Sequence, residues 1–179
     1  MSDHLQGEAH PGVEAAPAQT RGFRLNHCML RVKDPEASLR FYSRVFGMSV
    51  LRRLDFEEMN FSLYFLGCLE ADDQVPEETA ERTTWTFSQS GLLELTHNWG
   101  TEQQQGRIYH DGNAEPQGFG HICFSVPDLH AAVAWFDAND VEFIKRPDQG
   151  KMKDVVFVKD PDGYWIEVVQ PDLMSRVGK

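Results

Sequence analysis

Two histidines and two glutamates occupy corresponding positions in the two halves of the chain. His27 and His121 each begin an apolar segment, and Glu94 and Glu167 each interrupt a short apolar segment that follows a glycine. Any one of them alone is readily explained as an ordinary strand residue, since side chains alternate between the two faces of a sheet. Two carboxylates and two imidazoles brought to one point, however, would be costly to bury without a cation. The four side chains therefore predict a divalent metal site, and this ligand set suits zinc, nickel, cobalt or ferrous iron.

An internal repeat supplies the elements that must position these side chains. Each half predicts a strand, a helix and three further strands, and the two histidines lie 94 residues apart. In the first half, Asp34 and Pro35 predict a helix start, Gly47 its end, and strands are expected over 23–32, 48–56, 61–66 and 92–97. In the second half, Pro127 and Asp128 open the helix, and strands are expected over 119–126, 141–144, 155–158 and 164–169.

The remaining segments predict the domain organisation. Residues 1–22 lack apolar periodicity and predict a flexible N-terminal arm. Residues 23–175 predict a single domain of two modules, about 23–100 and 118–175, and residues 176–179 a short tail. Within it, 68–82 predicts a polar surface insertion, 83–87 a short extended piece, and 100–118 a long loop of the kind that often carries function.

Composition and charge restrict the partners. The chain has 179 residues with 28 acidic and 17 basic side chains, a net charge of −11 that disfavours nucleic acid and anionic membrane surfaces. No apolar run approaches the roughly 18 residues of a membrane helix, and residues 1–20 lack the features of a signal peptide. The three cysteines match neither a zinc ribbon nor a disulfide framework. We therefore expect a cytoplasmic protein with reduced thiols.

Five segments closely resemble the glyoxalase I family of lactoylglutathione lyases, over about residues 23–175. They are HCMLRVKDP at 27–35, FSLYFL at 61–66, LELTHNWG at 93–100, GFGH at 118–121 and DPDGYWIE at 160–167. The resemblance implies the α+β fold of the vicinal oxygen chelate superfamily, in which paired βαβββ modules form mixed, curved sheets around a metal-binding cleft. It also implies a homodimer whose active sites lie at the subunit interface.

The resemblance assigns roles to the four metal-site residues. His27 and Glu94 of one chain would join His121 and Glu167 of the other around one metal, which the insertion and the long loop, typical of the longer members, suggest is zinc, with nickel or cobalt as alternatives. The substrate would be the hemithioacetal of methylglyoxal and glutathione, isomerised through an enediolate to S-lactoylglutathione. Glu167 would be the proton shuttle and Glu94 a candidate second base.

The resemblance also implies a binding site for glutathione. Arg31 and Asn98 would bind its γ-glutamyl end, and Lys151 with the backbone of Met152 its glycyl carboxylate. Lys145 is a further candidate helper there, but for this residue we favour a solvated surface position. The S-linked group would pack in a hydrophobic pocket formed by Phe56, Met59, Leu63, Phe65 and Met174. The family has an arginine where this chain has Gln117, which removes a charge and a bidentate donor, so we expect a raised KM with turnover less affected.

Three alternatives share the expected fold. An enzyme acting on a different thiol adduct stays open because of Gln117. A drug-sequestering binding protein would need no metal ligands at positions 27, 94, 121 and 167, yet all four are present. An extradiol dioxygenase would use two histidines and one carboxylate, leaving one of the four positions without a ligand.

Overall fold

The fold comprises two four-stranded mixed sheets, one from each half of the sequence. The computed structural model describes residues 10–175, so part of the expected N-terminal arm and the expected tail at 176–179 lie outside the described residues. The helices and strands, in chain order, are β1 His27–Val32, α1 Pro35–Phe46, β2 Ser49–Phe56, β3 Phe61–Gly67, α2 Thr79–Ser88, β4 Leu92–Asn98, β5 His121–Ser125, α3 Leu129–Ala138, β6 Phe143–Lys145, β7 Val155–Lys159, β8 Trp165–Val169 and α4 Pro171–Met174.

The two sheets have the same topology. Their strand orders are β1-β4-β3-β2 and β5-β8-β7-β6, with the first pair of each sheet parallel and the other pairs antiparallel. Each half therefore contains the βαβββ order, with α2 inserted before the last strand of the first half, which confirms the predicted α+β class and the internal repeat. The division into two modules of one domain stays a prediction.

The helix after the first strand of each half begins at its predicted signal, and α1 also ends where predicted. The Asp34 carboxylate accepts hydrogen bonds from the backbone N–H groups of Glu36 and Ala37, and Asp128 accepts one from Ala131. Gly47 ends α1 with a φ of 69°, a conformation that glycine adopts at little cost.

One hydrophobic core joins both halves. It contains Leu30, Val32 and Leu95 of the first sheet, together with Val156, Val158, Ile166 and Val168 of the second, all nearly inaccessible to solvent. Tyr42 of α1 and Phe136 of α3 lie in the same core. Because strand side chains alternate, the opposite face of each sheet carries the histidine and glutamate of its module. We call this face the ligand face.

The insertion differs from prediction at its C-terminal end. The expected extended piece at 83–87 is wrong, because these residues belong to α2, which begins at Thr79 inside the predicted insertion. The Glu78 carboxylate caps the helix through the N–H groups of Ala80 and Glu81. The hydroxyls of the threonines at 83, 84 and 86 donate to carbonyls four residues earlier, so polar groups that disfavour a helix interior are satisfied here.

The long loop is confirmed, since residues 100–118 contain only the one-turn 3-10 helix Thr101–Gln103. The part of the arm that is described, residues 10–22, contains a similar turn at Ala18–Thr20. Its flexibility stays a prediction. Over residues 10–175, no helix combines the length and the apolar character needed to cross a membrane.

Candidate metal centre

The first module brings one histidine and one glutamate into direct contact. His27 on β1 and Glu94 on β4 share the ligand face because the strands are parallel and Met29 pairs with Glu94. The Nε2 atom of His27 lies 3.0 Å from Oε2 of Glu94. The His27 ring meets Phe65 edge-on, with the ring centroids 5.4 Å apart. We call His27 and Glu94 the first half-site.

The second module repeats this arrangement. His121 on β5 and Glu167 on β8 share its ligand face, with Nε2 and Oε2 3.3 Å apart. Phe157 contacts the His121 ring edge-on at 5.3 Å, at the same 79° interplanar angle as in the first module. We call His121 and Glu167 the second half-site. Phe157 is a member of the site that sequence reasoning missed, although it corresponds to Phe65 in the repeat.

Both pairs have spacing that suits a shared cation. Two ligand atoms about 2.1 Å from one ion, at octahedral or tetrahedral angles, lie roughly 3.0–3.4 Å apart. The distances of 3.0 and 3.3 Å fall in this range. Each pair also supplies one nitrogen and one oxygen donor, so the residues present fit a divalent metal ion.

The two half-sites do not form one cluster within a chain. His27 and His121 both line a cleft of about 530 Å³ between the modules. In the part of the chain from residue 10 to residue 175, however, no group of three or more histidine, cysteine, aspartate or glutamate side chains is placed to hold a metal ion. As folded here, a single chain therefore does not bring all four predicted ligands to one point.

In the first half-site Glu94 is buried, and both ligands have hydrogen-bonding neighbours. Glu94 is only 8% exposed, and its Oε1 accepts a hydrogen bond of 2.9 Å from the Thr96 hydroxyl. The Nδ1 atom of His27 lies 2.7 Å from Oδ1 of Asn26. Asn26 and Thr96 were not singled out from the sequence, because nothing local marks either residue as a partner of a ligand.

The second half-site is more open. The His121 side chain is 39% exposed and that of Glu167 20%, against 29% and 11% for His27 and Glu94. Cys123 lies beside Glu167, and burial together with this carboxylate raises the pKa of the thiol to about 12. Cys123 thus remains a neutral thiol near neutral pH and is a hydrogen-bond partner of Glu167, which differs from Glu94 chiefly in its greater exposure.

The residues expected to bind the γ-glutamyl end lie together on the first sheet. Arg31 is exposed on the ligand face, near the end of β1, and Asn98 ends β4. The Asn98 amide donates to the hydroxyl of Tyr109 in the long loop, at 2.9 Å. The backbone carbonyl of Arg31 accepts a hydrogen bond from the Tyr164 hydroxyl at 3.1 Å.

The expected hydrophobic pocket is divided between the two modules. Phe56, Leu63 and Phe65 share the ligand face of the first sheet, and Met59 is 60% exposed in the adjoining turn. Met174 instead packs on a cluster of Val155, Phe157 and Val169 in the second module. As with the metal ligands, one chain does not bring the two parts together.

The other predicted binding residues lie on loops. Gln117 is exposed shortly before β5, and Lys151 and Met152 are exposed in the loop between β6 and β7. The expectation for Lys145 is wrong, because it is half-buried and its ammonium group donates to the carbonyls of Val155 and Arg146. Burial lowers the pKa of Lys145, which serves here to brace the base of that loop.

Comparison with known proteins identifies the family. Residues 24–168 match the model of the glyoxalase/bleomycin resistance protein/dioxygenase superfamily. The chain is 54% identical to a lactoylglutathione lyase of Pseudomonas aeruginosa over 173 residues, covering 96% of this chain and 97% of the relative. It is 49% identical to glyoxalase I of Saccharomyces cerevisiae, over 87% of this chain and 46% of that longer protein.

A solved structure agrees with these relatives. The trypanothione-dependent glyoxalase I of Leishmania major aligns with a TM-score of 0.62 at 32% identity, covering 86% of this chain and 91% of that one. The family-model match over residues 24–168 includes all four predicted metal ligands. The chain belongs to the glyoxalase/bleomycin resistance protein/dioxygenase superfamily and, within it, to the lactoylglutathione lyases, or glyoxalase I enzymes.

Proposed function

We propose that this chain isomerises the hemithioacetal of methylglyoxal and glutathione to S-lactoylglutathione, and so detoxifies methylglyoxal. The observation that carries this proposal is the pair of matching histidine–glutamate contacts on equivalent strands of the two sheets. Relatives named lactoylglutathione lyase, at 54% and 51% identity over nearly the whole chain, support the same reaction. A binding protein of this fold would have no use for both contacts.

The active site is proposed to form between two copies of the chain. The first half-site of one copy would face the second half-site of the other, since each chain offers two ligands on each of two separate faces. Zinc is the proposed metal, with nickel or cobalt as alternatives, because the chain has the insertion and long loop of the longer members. A bound divalent cation would supply Lewis-acid stabilisation of negative charge developing on the substrate oxygens.

Glu167 is the proposed proton shuttle. A shuttle must reach two adjacent carbons in turn, and Glu167 has more freedom to do so than Glu94, which is nearly buried and fixed by Thr96. Glu94 and His27 would then hold their positions during the reaction. The apolar side chains of Leu63 and Phe65 on the same face would keep water away from the reacting carbons.

Glutathione is proposed to bind across the ends of the strands. Arg31 and Asn98 would contact its γ-glutamyl end, and Lys151 and the Met152 backbone its glycyl carboxylate. These local cations would compensate for the net charge of −11, which otherwise repels an anionic thiol. We propose a cytoplasmic location, where reduced glutathione is available and where the three free cysteines would stay reduced.

A second candidate is the same chemistry on a different thiol adduct. Gln117 favours this alternative because it lacks the positive charge that members of the family use at this position. The solved relative from Leishmania major is described as trypanothione-dependent, so that member of the fold acts with another thiol. Comparing kcat/KM for adducts of glutathione and of other thiols distinguishes the two candidates.

The direct test follows thioester absorbance after metal-loaded protein is mixed with methylglyoxal and glutathione. We expect thioester formation by the native chain, and a fall in kcat of roughly 10²–10⁴-fold for Glu167→Gln, the usual range for loss of a general base. Glu142→Gln is the matched control, since Glu142 is exposed and pairs with Lys159. No thioester from the native protein would contradict the function, and equal turnover by Glu167→Gln would contradict the assigned base.

A further inference from the structure

The side chain of Asn26 is hydrogen-bonded to the C-terminal end of helix α2. The Asn26 amide nitrogen donates to the backbone carbonyls of Gln89 at 2.8 Å, Phe87 at 3.2 Å and Thr86 at 3.4 Å. The last carbonyls of a helix have no partner within the helix, so they are available to an outside donor. The Asn26 side chain thus caps the C-terminal end of a helix that lies about 60 residues further along the chain.

These hydrogen bonds determine which side-chain atom of Asn26 faces His27, a proposed metal ligand. Because the amide N–H groups point at carbonyls, Oδ1 must point the other way, towards Nδ1 of His27 at 2.7 Å. An amide oxygen only accepts hydrogen bonds, so Nδ1 of His27 must be the donor. The other ring nitrogen, Nε2, is then directed at Glu94 and carries the lone pair that a metal needs.

Helix α2 also braces the His27 ring from a second side. Phe87 of α2 packs against Phe65, with ring centroids 4.9 Å apart, and Phe65 in turn meets His27 edge-on. The helix is tied to the sheet by a hydrogen bond of 2.8 Å from the Arg52 guanidinium to the Thr83 hydroxyl. The contacts of the ring with Asn26 and with Phe65 are therefore both supported by the same helix.

The second half-site shares the edge-on aromatic contact, from Phe157, but has no equivalent of the Asn26 hydrogen bond or of helix α2 among residues 10–175. Over residues 10–175, the hydrogen bonds include none to Nδ1 of His121, and its module has no helix inserted before the last strand. Its ring is also more exposed than that of His27, at 39% against 29%. The two halves of the repeat therefore carry the same ligands but hold them with different rigidity.

We propose that Asn26 is a positioning residue for the metal, held by the end of α2, and that this contact makes the first half-site the one that determines metal affinity. The proposal rests on the metal site of the proposed function. Removing a hydrogen-bond partner of a metal-ligating histidine typically weakens metal affinity about 10–100-fold. The surface insertion thereby has a function, since it carries the helix that orients a ligand.

The test measures zinc dissociation constants by competition with a chromophoric chelator, and the visible spectrum of the cobalt-loaded protein. We expect Asn26→Ala to weaken zinc binding at least about tenfold and to change the cobalt spectrum. Asn26→Asp should also weaken it, because a carboxylate keeps an acceptor for His27 but is repelled by the three carbonyls. Asn139→Ala is the matched control, since Asn139 bonds the Trp135 carbonyl at the end of α3.

Each result decides the proposal. An affinity of Asn26→Ala within about twofold of native, or an equal loss in Asn139→Ala, would overturn it, and full affinity in Asn26→Asp would overturn the part assigned to α2. A native protein that binds zinc but forms no thioester would refute the proposed function alone, and one that binds no divalent metal would refute both.

Discussion

Identical residue types in the two half-sites have different surroundings, and those surroundings support the roles proposed for them. Glu94 is 8% exposed and accepts a hydrogen bond from Thr96, whereas Glu167 lies in a more open position beside the neutral thiol of Cys123. A fixed carboxylate suits a permanent ligand, and a freer one suits proton transfer. The four ligand positions could be predicted from the sequence because the repeat places them in register. The contact of Asn26 could not, because its partners are about 60 residues away in the chain.

Gln117, which stands where the family has an arginine, gives a prediction about the KM for the glutathione adduct. Gln117→Arg should lower KM for the glutathione adduct about tenfold or more, because a charged donor to a carboxylate is worth about 1.5–3 kcal/mol, and it should change kcat little. Steady-state kinetics measures both constants. Gln105→Arg, an exposed change in the same loop, adds the same charge elsewhere and should leave KM nearly unchanged. Equal KM values for Gln117→Arg and native protein would show that this position does not contact the thiol.

At the scale of elements, the turn between β7 and β8 ties the second module to the first. Asp160 accepts a hydrogen bond from the Tyr42 hydroxyl at 2.9 Å, and Asp162 accepts one from the Lys33 backbone at 3.0 Å. Tyr164, just after the turn, bonds the Arg31 carbonyl. The turn itself could be predicted from its Asp-Pro-Asp-Gly sequence, but these partners could not, because they depend on how the modules pack.

Asp160 makes this turn sensitive to pH. Burial raises the pKa of Asp160 from 3.8 to about 7, although the Tyr42 hydroxyl and two backbone N–H groups favour the charged form. The folded state therefore binds a proton that the unfolded state has released between about pH 4 and pH 7, so the free energy of unfolding should fall as pH rises through this window. A shift of this size corresponds to about 4 kcal/mol at most.

Asp160→Asn should remove most of that decline, because the amide keeps an acceptor for the backbone N–H groups but does not titrate. Denaturant unfolding at several pH values from about 4 to 7 measures it. Asp137→Asn is the control, since the pKa of Asp137 is lowered by Arg146 and the residue is exposed. An equally steep decline in Asp160→Asn and native protein would assign the pH dependence to other groups.

Contacts between elements also explain why the prediction of an extended piece at residues 83–87 was wrong. Their threonines and aromatic residues favour strands by local propensity. Three contacts outside the segment favour the helix instead, namely the Glu78 cap, the packing of Phe87 on Phe65 and the hydrogen bond from Arg52. Helices α1 and α3 could be predicted because their start signals are adjacent in the sequence.

For the whole molecule, the inner faces of the two sheets share one core, so their ligand faces point away from it. One chain therefore presents two separate half-sites and two separate parts of the expected hydrophobic pocket. Over residues 10–175, the two half-sites do not meet, and the two parts of the pocket do not meet either. A second copy related by two-fold symmetry would complete both sites at once, since such an interface uses the same surfaces of each subunit. The sequence predicts the fold and the four candidate ligands, whereas the pairing of half-sites between two chains is a proposal that the packing of a single chain suggests.

Mixing two inactive variants tests this arrangement most directly. His27→Ala destroys every first half-site and His121→Ala every second half-site, so each variant alone should have little activity at saturating metal. Co-expressed with two different tags and purified as a mixed dimer, they should form one site with both intact halves and one with both broken. The account predicts about half of the native activity per mixed dimer, since one of the two sites is restored. No activity above that of the separate variants would contradict a site shared between two chains.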